Sequence, residues 1–410
     1  MRAIGLLTMS QERGKSFEVG QRFSVSIEKI AHGGHFIARH QGQVIFVRHA
    51  IAGEEVEIEI TSTGSSFYRA DVTKVLTPSK DRVSPPCEFA HPGGCGGCDF
   101  QHISQHRQRL LKGEVIKEQF SRLAKQDIEI EVEEVSSPLR WRTRISSATN
   151  SEGKIGFYAS RSHTVIPVTD CAIAAEAIGY PELAQRKWPA RSRVEILSSS
   201  TQERSIAIAD SGRGSKARLT QGSAITYEEV NGHRLQVSQS SFWQSHENAP
   251  EVLTGAIVEY FKEGDHVLDL YGGVGLFTAA LIDLVGSAGR IDLIESGTAA
   301  LADARKNFAN FPNVGVHAGE VGRLLPRIDK ADAILLDPPR EGAGKEVISQ
   351  IVSKRPRVIV YIACDPAALA RDSSYLAEQG YTLGQLRAFD LFPMTHHVEC
   401  VAIFTKSSTN

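Results

Sequence analysis

The chain carries the stretch His266-Val-Leu-Asp-Leu-Tyr-Gly-Gly-Val-Gly275, an apolar run that leads directly into a glycine-rich turn. Such a run is typical of a buried parallel strand, and a turn of this kind lets a ligand approach the backbone at the carboxyl end of the strand. The turn reads G-G-x-G rather than G-x-G-x-x-G, which disfavours a dinucleotide. We therefore predict the first strand of a doubly wound α/β domain that binds a nucleotide-like molecule.

Three further apolar runs alternate with helical stretches after this point: Arg290-Ile-Asp-Leu-Ile-Glu295, Ala331-Asp-Ala-Ile-Leu-Leu-Asp337 and Arg357-Val-Ile-Val-Tyr-Ile362. This alternation predicts a parallel sheet covered by helices over residues 234–410. The second run ends at Glu295, whose carboxylate can accept hydrogen bonds from ribose hydroxyls. A glycine-rich turn combined with such an acid fits S-adenosylmethionine.

Polar groups follow the next two strands at the same edge of the predicted sheet. Asp337-Pro-Pro-Arg340 follows the third strand and Cys364-Asp-Pro366 follows the fourth. A cysteine at a strand end usually belongs to the core, but this edge is where ligands bind, which favours a functional role for Cys364. Near the end of the chain, alternation from Val398 to Phe404 predicts a strand with Glu399 on the face opposite to Cys400.

The first half of the 410-residue chain has a different character, and the length predicts two or three domains. Short alternating runs broken by glycine predict a small β-barrel over residues 17–76. Residues 1–16 are mostly polar and lack an apolar signal segment, so we predict a mobile tail and a cytoplasmic protein. Residues 77–233 are predicted to form a β-rich central domain.

Four cysteines are spaced like the ligands of a metal centre. Cys87, Cys95 and Cys98 form the pattern C-x7-C-G-G-C, and Cys171 follows much later. Converging thiolates suit an iron–sulfur cluster. Zinc is the main alternative, although zinc sites more often use two C-x-x-C pairs. Disulfides are the third possibility, which a reducing cytosol disfavours.

The formal net charge of −2 gives no overall sign of a nucleic-acid partner, so any RNA-binding surface must be local. Residues 101–126 concentrate six basic residues at helical spacing, which fits either an RNA contact or a solvated helix face over a core stripe. The cluster Arg140-Trp-Arg-Thr-Arg144 combines basic residues with an aromatic ring, a mixture that suits phosphate contact and base stacking.

Across nearly its whole length the chain resembles the bacterial RNA 5-methyluridine methyltransferases. The resemblance is carried by four motifs, Asp269-Leu-Tyr-Gly-Gly-Val-Gly275, Asp337-Pro-Pro-Arg340, Cys364-Asp-Pro366 and Phe392-Pro-x-Thr-x-His-x-Glu399. Residues 17–76 look like a TRAM domain, an OB-type RNA-binding barrel. The resemblance implies a multidomain α/β protein with this barrel, a central iron–sulfur RNA-binding domain and a Rossmann-like S-adenosylmethionine-dependent methyltransferase domain.

The resemblance also implies roles for individual residues. Cys364 matches the family's nucleophile, which adds to C6 of uracil, and Glu399 matches the base that removes the C5 proton. The residues that match the cofactor side are Gln244, Tyr271, Glu295 and Asp337. The residues that match the [4Fe-4S] ligands, in place of zinc ligands, are Cys87, Cys95, Cys98 and Cys171. Asp365, His246 and Leu276 depart from the family's usual residues.

Members with both the barrel and the cluster usually act on large-subunit ribosomal RNA, so we expect methylation of a uridine in 23S ribosomal RNA. A tRNA methyltransferase is the alternative within the same chemistry. A non-catalytic RNA-binding or folding factor is the alternative from another class, but such a module would need neither Cys364 nor Glu399. We expect no membrane association and no obligate protein partner.

Overall fold

The structure is a computed structural model that describes residues 16–210, 212 and 215–407. Apart from its last position, the predicted tail of residues 1–16 lies outside the described residues. The chain divides into two compact units, the first ending at Val83 and the second beginning at Ser84. In the part of the chain that is described, no helix combines the length and the apolar character needed to cross a membrane.

Five strands close the first unit into a barrel. They are β1 (Arg22–Ala31), β2 (His35–His40), β3 (Gln43–Arg48), β4 (Glu55–Thr63) and β5 (Tyr68–Thr77). Their order around the barrel is β1-β2-β3-β5-β4, and β1 closes against β4 with Val25 opposite Val56. Alternate side chains of a strand share one face, and inward residues such as Ile45 are buried. The predicted barrel is confirmed.

The second unit begins with the segment that carries three of the four spaced cysteines. Helix α1 (Gln105–Gln119) continues as one π-helical turn (Phe120–Ala124), and the short strand β6 (Val132–Glu134) follows. The apolar stripe of α1 is buried, with Ile116 and Phe120 fully enclosed.

A six-stranded antiparallel sheet forms the middle of this unit, in the order β12-β11-β10-β7-β8-β9. Its strands are β7 (Arg144–Thr149), β8 (Ile155–Tyr158), β9 (Val165–Pro167), β10 (Ser192–Ser198), β11 (Arg204–Asp210) and β12 (Arg218–Gln221). The short helix α2 (Tyr180–Ala184) lies between β9 and β10 in the chain. A separate hairpin of β13 (Ile225–Val230) and β14 (His233–Ser238) follows, and then helix α3 (Ala249–Gly255).

The last part of the chain builds an eight-stranded sheet with a buried core on each face. Its strands from this region are β15 (His266–Leu270), β16 (Arg290–Glu295), β17 (Val314–Ala318), β18 (Ala333–Leu336), β19 (Val358–Ala363), β20 (Tyr381–Asp390) and β21 (Glu399–Lys406). The helices between them are α4 (Leu276–Val285), α5 (Thr298–Asn307), α6 (Val321–Leu324), α7 (Gly344–Ser353) and α8 (Pro366–Glu378). The predicted doubly wound α/β domain is confirmed.

The strands lie side by side in the order β17-β16-β15-β18-β19-β21-β20-β6. The point from which successive strands are added in opposite directions lies between β15 and β18. Chain order runs outward from β15 to β17 on one side and from β18 onward on the other. A crevice forms at the carboxyl ends of the strands where such a reversal occurs, and ligands bind there in open α/β sheets. The fold therefore places the functional edge beside Tyr271 and Asp337.

The eighth strand of this sheet comes from the first half of the chain. β6 pairs with β20 in parallel, with Val132 opposite Ala388. Ile116 of α1 and Phe120 of the π-helical turn pack in the same core as Leu268 and Ile359. Residues 105–134, which the sequence places in a central domain, therefore complete the sheet of the last domain.

Candidate active site

Five of the six residues predicted for catalysis and cofactor binding line one cavity of about 500 Å³. Tyr271, Asp337 and Cys364 each directly follow a parallel strand, and Glu399 begins the antiparallel strand β21 at the same edge. Gln244 reaches the cavity from the loop between β14 and α3. The sheet topology brings the four side chains at its strand ends together, because the carboxyl ends of parallel strands share one edge, and the loop adds Gln244.

The glycine-rich turn after β15 has an unusual backbone. Tyr271 has a φ of 62°, a left-handed conformation that non-glycine residues seldom adopt and that is often found at functional sites. Gly275 has a φ of 101°, and a Cβ at this position would lie 2.1 Å from the ring of Phe308. Glycine is therefore required here both for its conformation and for its lack of a side chain.

Glu295 is the one predicted residue that does not line the cavity. Its Oε2 accepts a hydrogen bond of 3.0 Å from the Gly273 N–H, and its Oε1 accepts one from the Gly297 N–H. The carboxylate thus ties the end of β16 to the glycine-rich turn. Its predicted role toward a ribose stays a prediction.

The buried carboxyl and thiol groups in the cavity have raised pKa values, because ionising a group away from water costs free energy. Burial raises the pKa of Asp337 to about 7, and the nearby Asp269 carboxylate adds to this effect. Burial, together with the charge of Asp337, raises the pKa of Glu399 well above its usual range. Burial and then the Glu399 and Asp337 carboxylates raise the pKa of the Cys364 thiol to about 12, against the opposing charge of Arg340. A cationic ligand in this cavity would favour the ionised forms of all three.

Comparison with known proteins gives agreement along the whole chain. A family model described as tRNA (Uracil-5-)-methyltransferase matches residues 327–407, and a TRAM domain model matches residues 16–73. An uncharacterized RNA methyltransferase of Streptomyces avermitilis is 41% identical, with 94% of this chain and 98% of the relative aligned. The 23S rRNA (uracil(1939)-C(5))-methyltransferase RlmD of Shewanella amazonensis is 30% identical, with 94% and 96% aligned.

The chain belongs to the RNA uracil-5-methyltransferase family. It is therefore an S-adenosylmethionine-dependent enzyme that acts on RNA. A solved structure supports the fold: the tRNA (uracil-54, C5)-methyltransferase of Pyrococcus abyssi in complex with S-adenosyl-L-homocysteine has a TM-score of 0.73. It covers 93% of this chain and 100% of its own at 20% identity.

The motif around the methyltransferase's Cys364 departs from the family at Asp365, and the structure explains what this residue does. Its Oδ1 accepts hydrogen bonds of 2.9 Å from the N–H groups of Ala367 and Ala368. Asp365 is therefore the N-cap of α8, and Pro366 takes the first helical position, where no N–H is needed. The departure supports the helix that begins at Pro366, the last residue of the Cys364-Asp-Pro366 motif.

His246, which stands where the family has asparagine, is also accounted for by packing. Its ring stacks on Trp141 with the centroids 5.5 Å apart, and its Nε2 lies 2.9 Å from the Ser136 hydroxyl. Burial lowers the pKa of His246 to about 4, so the ring is neutral at physiological pH. Leu276 is buried at the start of α4.

Several further residues line the cavity that the sequence interpretation did not assign to it: Arg142, Phe242, Ser245, Pro338, Pro339, Arg340, Phe392 and His397. Arg142 belongs to the basic cluster Arg140-Trp-Arg-Thr-Arg144, and Arg340 belongs to the Asp337-Pro-Pro-Arg340 motif. Both residues therefore lie in sequence patterns that already indicated a functional region. Phe242, which is 67% exposed, lies two residues before Gln244 in the stretch Ser241-Phe-Trp-Gln244, but it was assigned no role of its own.

A second cavity of about 960 Å³ adjoins the first. The two share Arg142, Phe242 and Ser245, and the second also contains Arg144 and Arg193. Arg144 donates through Nη1 to the Ser241 carbonyl at 2.7 Å. A basic groove with an exposed aromatic ring at its boundary thus leads into the cavity that holds Cys364.

The basic residues of α1 are engaged within the chain. Lys112 is buried and pairs with Asp390, and the other pairs are Arg107 with Glu114, Arg109 with Glu134 and Lys117 with Glu129. Of the two interpretations of residues 101–126, these contacts favour a helix face over a core stripe. A direct RNA contact by Lys112 is wrong, because its side chain has no exposed surface.

The four predicted metal ligands, Cys87, Cys95, Cys98 and Cys171, line one small pocket, whose other walls are largely apolar. All six cysteines are free thiols, so the disulfide alternative finds no support. Burial, and then repulsion between the thiolates, raises the pKa of Cys98 above its usual range. Four soft donors around an apolar pocket fit an iron–sulfur cluster.

Within the described residues, no group of three or more histidine, cysteine or acidic side chains is arranged to hold a metal ion. This finding gives geometric support neither to a zinc ion nor to a cluster held by the four thiolates. The iron–sulfur assignment stays a proposal.

Proposed function

We propose that this methyltransferase adds a methyl group to C5 of a uridine in 23S ribosomal RNA through a covalent adduct between Cys364 and uracil C6. The observation that carries the proposal is the meeting of Cys364 and Glu399 in one cavity with the cofactor-side residues Gln244, Tyr271 and Asp337. A nucleophile and a base in the same ligand-binding crevice are what the reaction needs. A binding module would need neither residue.

The chemistry follows from the weakness of uracil C5 as a nucleophile. Addition of the Cys364 thiolate to C6 breaks the C5–C6 double bond and converts the ring into an enolate, whose C5 can attack a methyl sulfonium. S-adenosylmethionine supplies that methyl group. Glu399 then takes the proton from C5, the double bond re-forms, and the sulfur leaves C6 as a thiolate. Every bond that forms to the enzyme is broken again in the cycle.

The thiol of Cys364 must lose its proton before it can add. Two local features favour the thiolate against the cost of burial: the positive charge of Arg340 and the amino end of α8, which begins two residues later. Glu399 must be ionised when it takes the C5 proton. Its raised pKa predicts that activity is lost as the pH falls, since the protonated carboxyl cannot accept a second proton.

The RNA must present its uridine unpaired, since C6 is inaccessible within a base-paired stack. The groove beside the cavity supports this mode of binding, because its arginines can contact phosphates. Phe242 lies at the boundary of the two cavities, where an exposed ring can stack on a base. The TRAM barrel would add further RNA contacts.

The choice of ribosomal RNA rests on the relative named as a 23S rRNA uracil-C5 methyltransferase, which aligns with this chain at 30% identity over almost all of both proteins. The solved tRNA methyltransferase shares the fold at only 20% identity. The relatives named above are bacterial, apart from that archaeal structure, and bacterial ribosomal RNA lies in the cytoplasm. We therefore propose that the enzyme acts there.

A strain that lacks the gene should lose 5-methyluridine from 23S ribosomal RNA and keep it in tRNA. Mass spectrometric mapping of both RNAs checks this, and the wild-type gene should restore the modification. Restoration should fail with Cys364→Ala, which serves as the matched control. Loss of 5-methyluridine from tRNA alone would replace the proposed substrate with the alternative one.

We also propose a [4Fe-4S] cluster held by Cys87, Cys95, Cys98 and Cys171. Protein purified without oxygen should be brown and contain about four irons per chain, as expected for a four-cysteine cluster. Cys171→Ser should lose most of the iron, while Cys400→Ser, whose side chain is buried in the sheet core away from this pocket, should keep it. Stoichiometric zinc without iron or sulfide in the wild-type protein would contradict the proposal.

A further inference from the structure

A lysine with no exposed surface lies behind the catalytic cavity. Lys112, on α1, donates through Nζ to Oδ1 of Asp390 at 2.5 Å and to the carbonyl of Phe392 at 3.1 Å. Both side chains of the pair are buried. Removing a lysine from water is costly, so a lysine at this position is retained only where its partners are fixed. The reaction described above gives this group no chemical role.

Helix α1 also holds the same stretch of chain through Gln108. The Gln108 Oε1 accepts a hydrogen bond of 2.9 Å from the Met394 N–H. The amide Nε2 donates to the carbonyls of Phe100 and Ile103 at 3.1 and 2.9 Å, which fixes the orientation of the side chain.

The residues just after Cys98 add further bonds. The N–H groups of Asp99 and Phe100 both donate to the Met394 carbonyl, at 3.1 and 3.0 Å. The carboxylate of Asp99 lies 2.6 Å from Nδ1 of His396. Cys98 itself packs against the small cluster of Trp141, Ile173 and Met394. Residues between Cys98 and Lys112 thus form several hydrogen bonds and an ion pair with one short segment of the chain.

That segment, Asp390–His397, connects β20 to β21 and ends two residues before Glu399. Phe392 and His397 of the segment line the catalytic cavity. Because Glu399 is the first residue of β21, the path of this segment sets where the carboxylate enters the cavity. By its hydrogen bonds to this segment, α1 therefore also constrains the position of the proposed base, Glu399.

We propose that Lys112 is a positioning residue, which holds the Asp390–His397 segment through Asp390 and the Phe392 carbonyl and so keeps the Glu399 carboxylate in line with C5 of uracil. This proposal rests on the proposed role of Glu399. The proposal predicts that loss of Lys112 slows removal of the C5 proton more than it slows addition of Cys364 or methyl transfer. Addition of Cys364 and methyl transfer use groups on β18, β19 and the glycine-rich turn, whereas proton removal uses the segment that Lys112 holds.

The test compares full-length Lys112→Met with wild type on unmethylated total RNA from the deletion strain. Misplacement of a catalytic group by about 1 Å can cost roughly 100-fold, so we expect a turnover about 100-fold lower. Affinity for S-adenosylmethionine should stay within about twofold. The covalent protein–RNA adduct seen on denaturing gels should rise, because its breakdown is the slowed step.

Lys345→Met is the matched control, since Lys345 forms an exposed ion pair with Glu378 and does not line the cavity. It should behave as wild type. If Lys112→Met does not fold, because Asp390 is left unpaired in the interior, Lys112→Met with Asp390→Leu removes both charges. The double variant should still accumulate adduct, since the Phe392 carbonyl has lost the bond that ties it to α1 and keeps only the Thr395 donors of its own segment.

Two outcomes would overturn the proposal. One is wild-type turnover and adduct in the folded variant, and the other is a parallel loss of cofactor binding, adduct and turnover, which general destabilisation would produce. Glu399→Gln, measured alongside, separates this proposal from the mechanism on which it rests. If Glu399→Gln traps adduct and Lys112→Met does not, the positioning role alone fails. If neither traps adduct, the role of Glu399 as base fails with it.

Discussion

Cys364→Ala is expected to abolish methyl transfer, with a loss of at least about a thousandfold, while the protein continues to bind S-adenosylmethionine. The loss follows because alanine cannot form the bond to uracil C6 that makes C5 nucleophilic, and removal of a covalent nucleophile is among the most damaging substitutions in enzymes. Binding should persist because Gln244 and Tyr271 reach the cavity from other elements. Single-turnover methylation and calorimetric titration with the cofactor measure the two effects.

Cys400→Ala is the matched control for this substitution. Cys400 is one residue from Glu399, but its side chain is fully buried in the core on one face of the sheet. Its loss should reduce stability modestly through a small cavity and leave the covalent chemistry intact. Activity of Cys364→Ala within tenfold of wild type would exclude covalent catalysis by this cysteine.

Glu399→Gln is expected to trap the enzyme on its RNA. Glutamine preserves the shape of the side chain but cannot take a proton, so addition and methyl transfer proceed and the release of the thiolate fails. We expect turnover to fall by at least about 100-fold and a methylated protein–RNA adduct to survive denaturing electrophoresis. Double labelling, with the methyl group and the RNA carrying different isotopes, establishes that the trapped species formed after methyl transfer.

Glu133→Gln provides the comparison for this variant, because Glu133 forms a partly exposed pair with Arg387 outside the cavity. It should neither trap RNA nor slow turnover. The acid limb of the wild-type pH profile, which reflects ionisation of Glu399, should also be absent from the residual activity of Glu399→Gln. Normal turnover without any trapped adduct would show that another group removes the C5 proton.

Local patterns were enough to predict the parts of the fold that depend on local sequence. The runs His266–Leu270 and Arg290–Glu295 form strands with those limits, because a strand buried on both faces must be apolar along its length. The same pattern of apolar runs also predicted which edge of the sheet carries the site residues. Once the strands are parallel, residues that directly follow them, such as Asp337 and Cys364, must lie at one edge.

What the sequence could not provide depends on contacts between distant parts of the chain. β6 has only three residues, Val132-Glu-Glu134, too few to display a period, and its partner β20 is far away in sequence. Lys112 looked like one of several surface cations, since its burial depends on Asp390. Phe242 stands beside Gln244 in one motif, but its exposure next to the cavity depends on the folded chain and could not be predicted from the motif.

β21, which begins with the proposed base Glu399, lies between β19 and β20 in the sheet. A chain that ended before Glu399 would still contain Cys364, and such a chain, if it folded, would capture RNA without being able to let it go. Such a chain would lack the strand that is hydrogen-bonded to both β19 and β20, so the sheet would be interrupted between them. The proposed nucleophile and the proposed base thus lie at the ends of neighbouring strands of one sheet, and completing that sheet brings both into place.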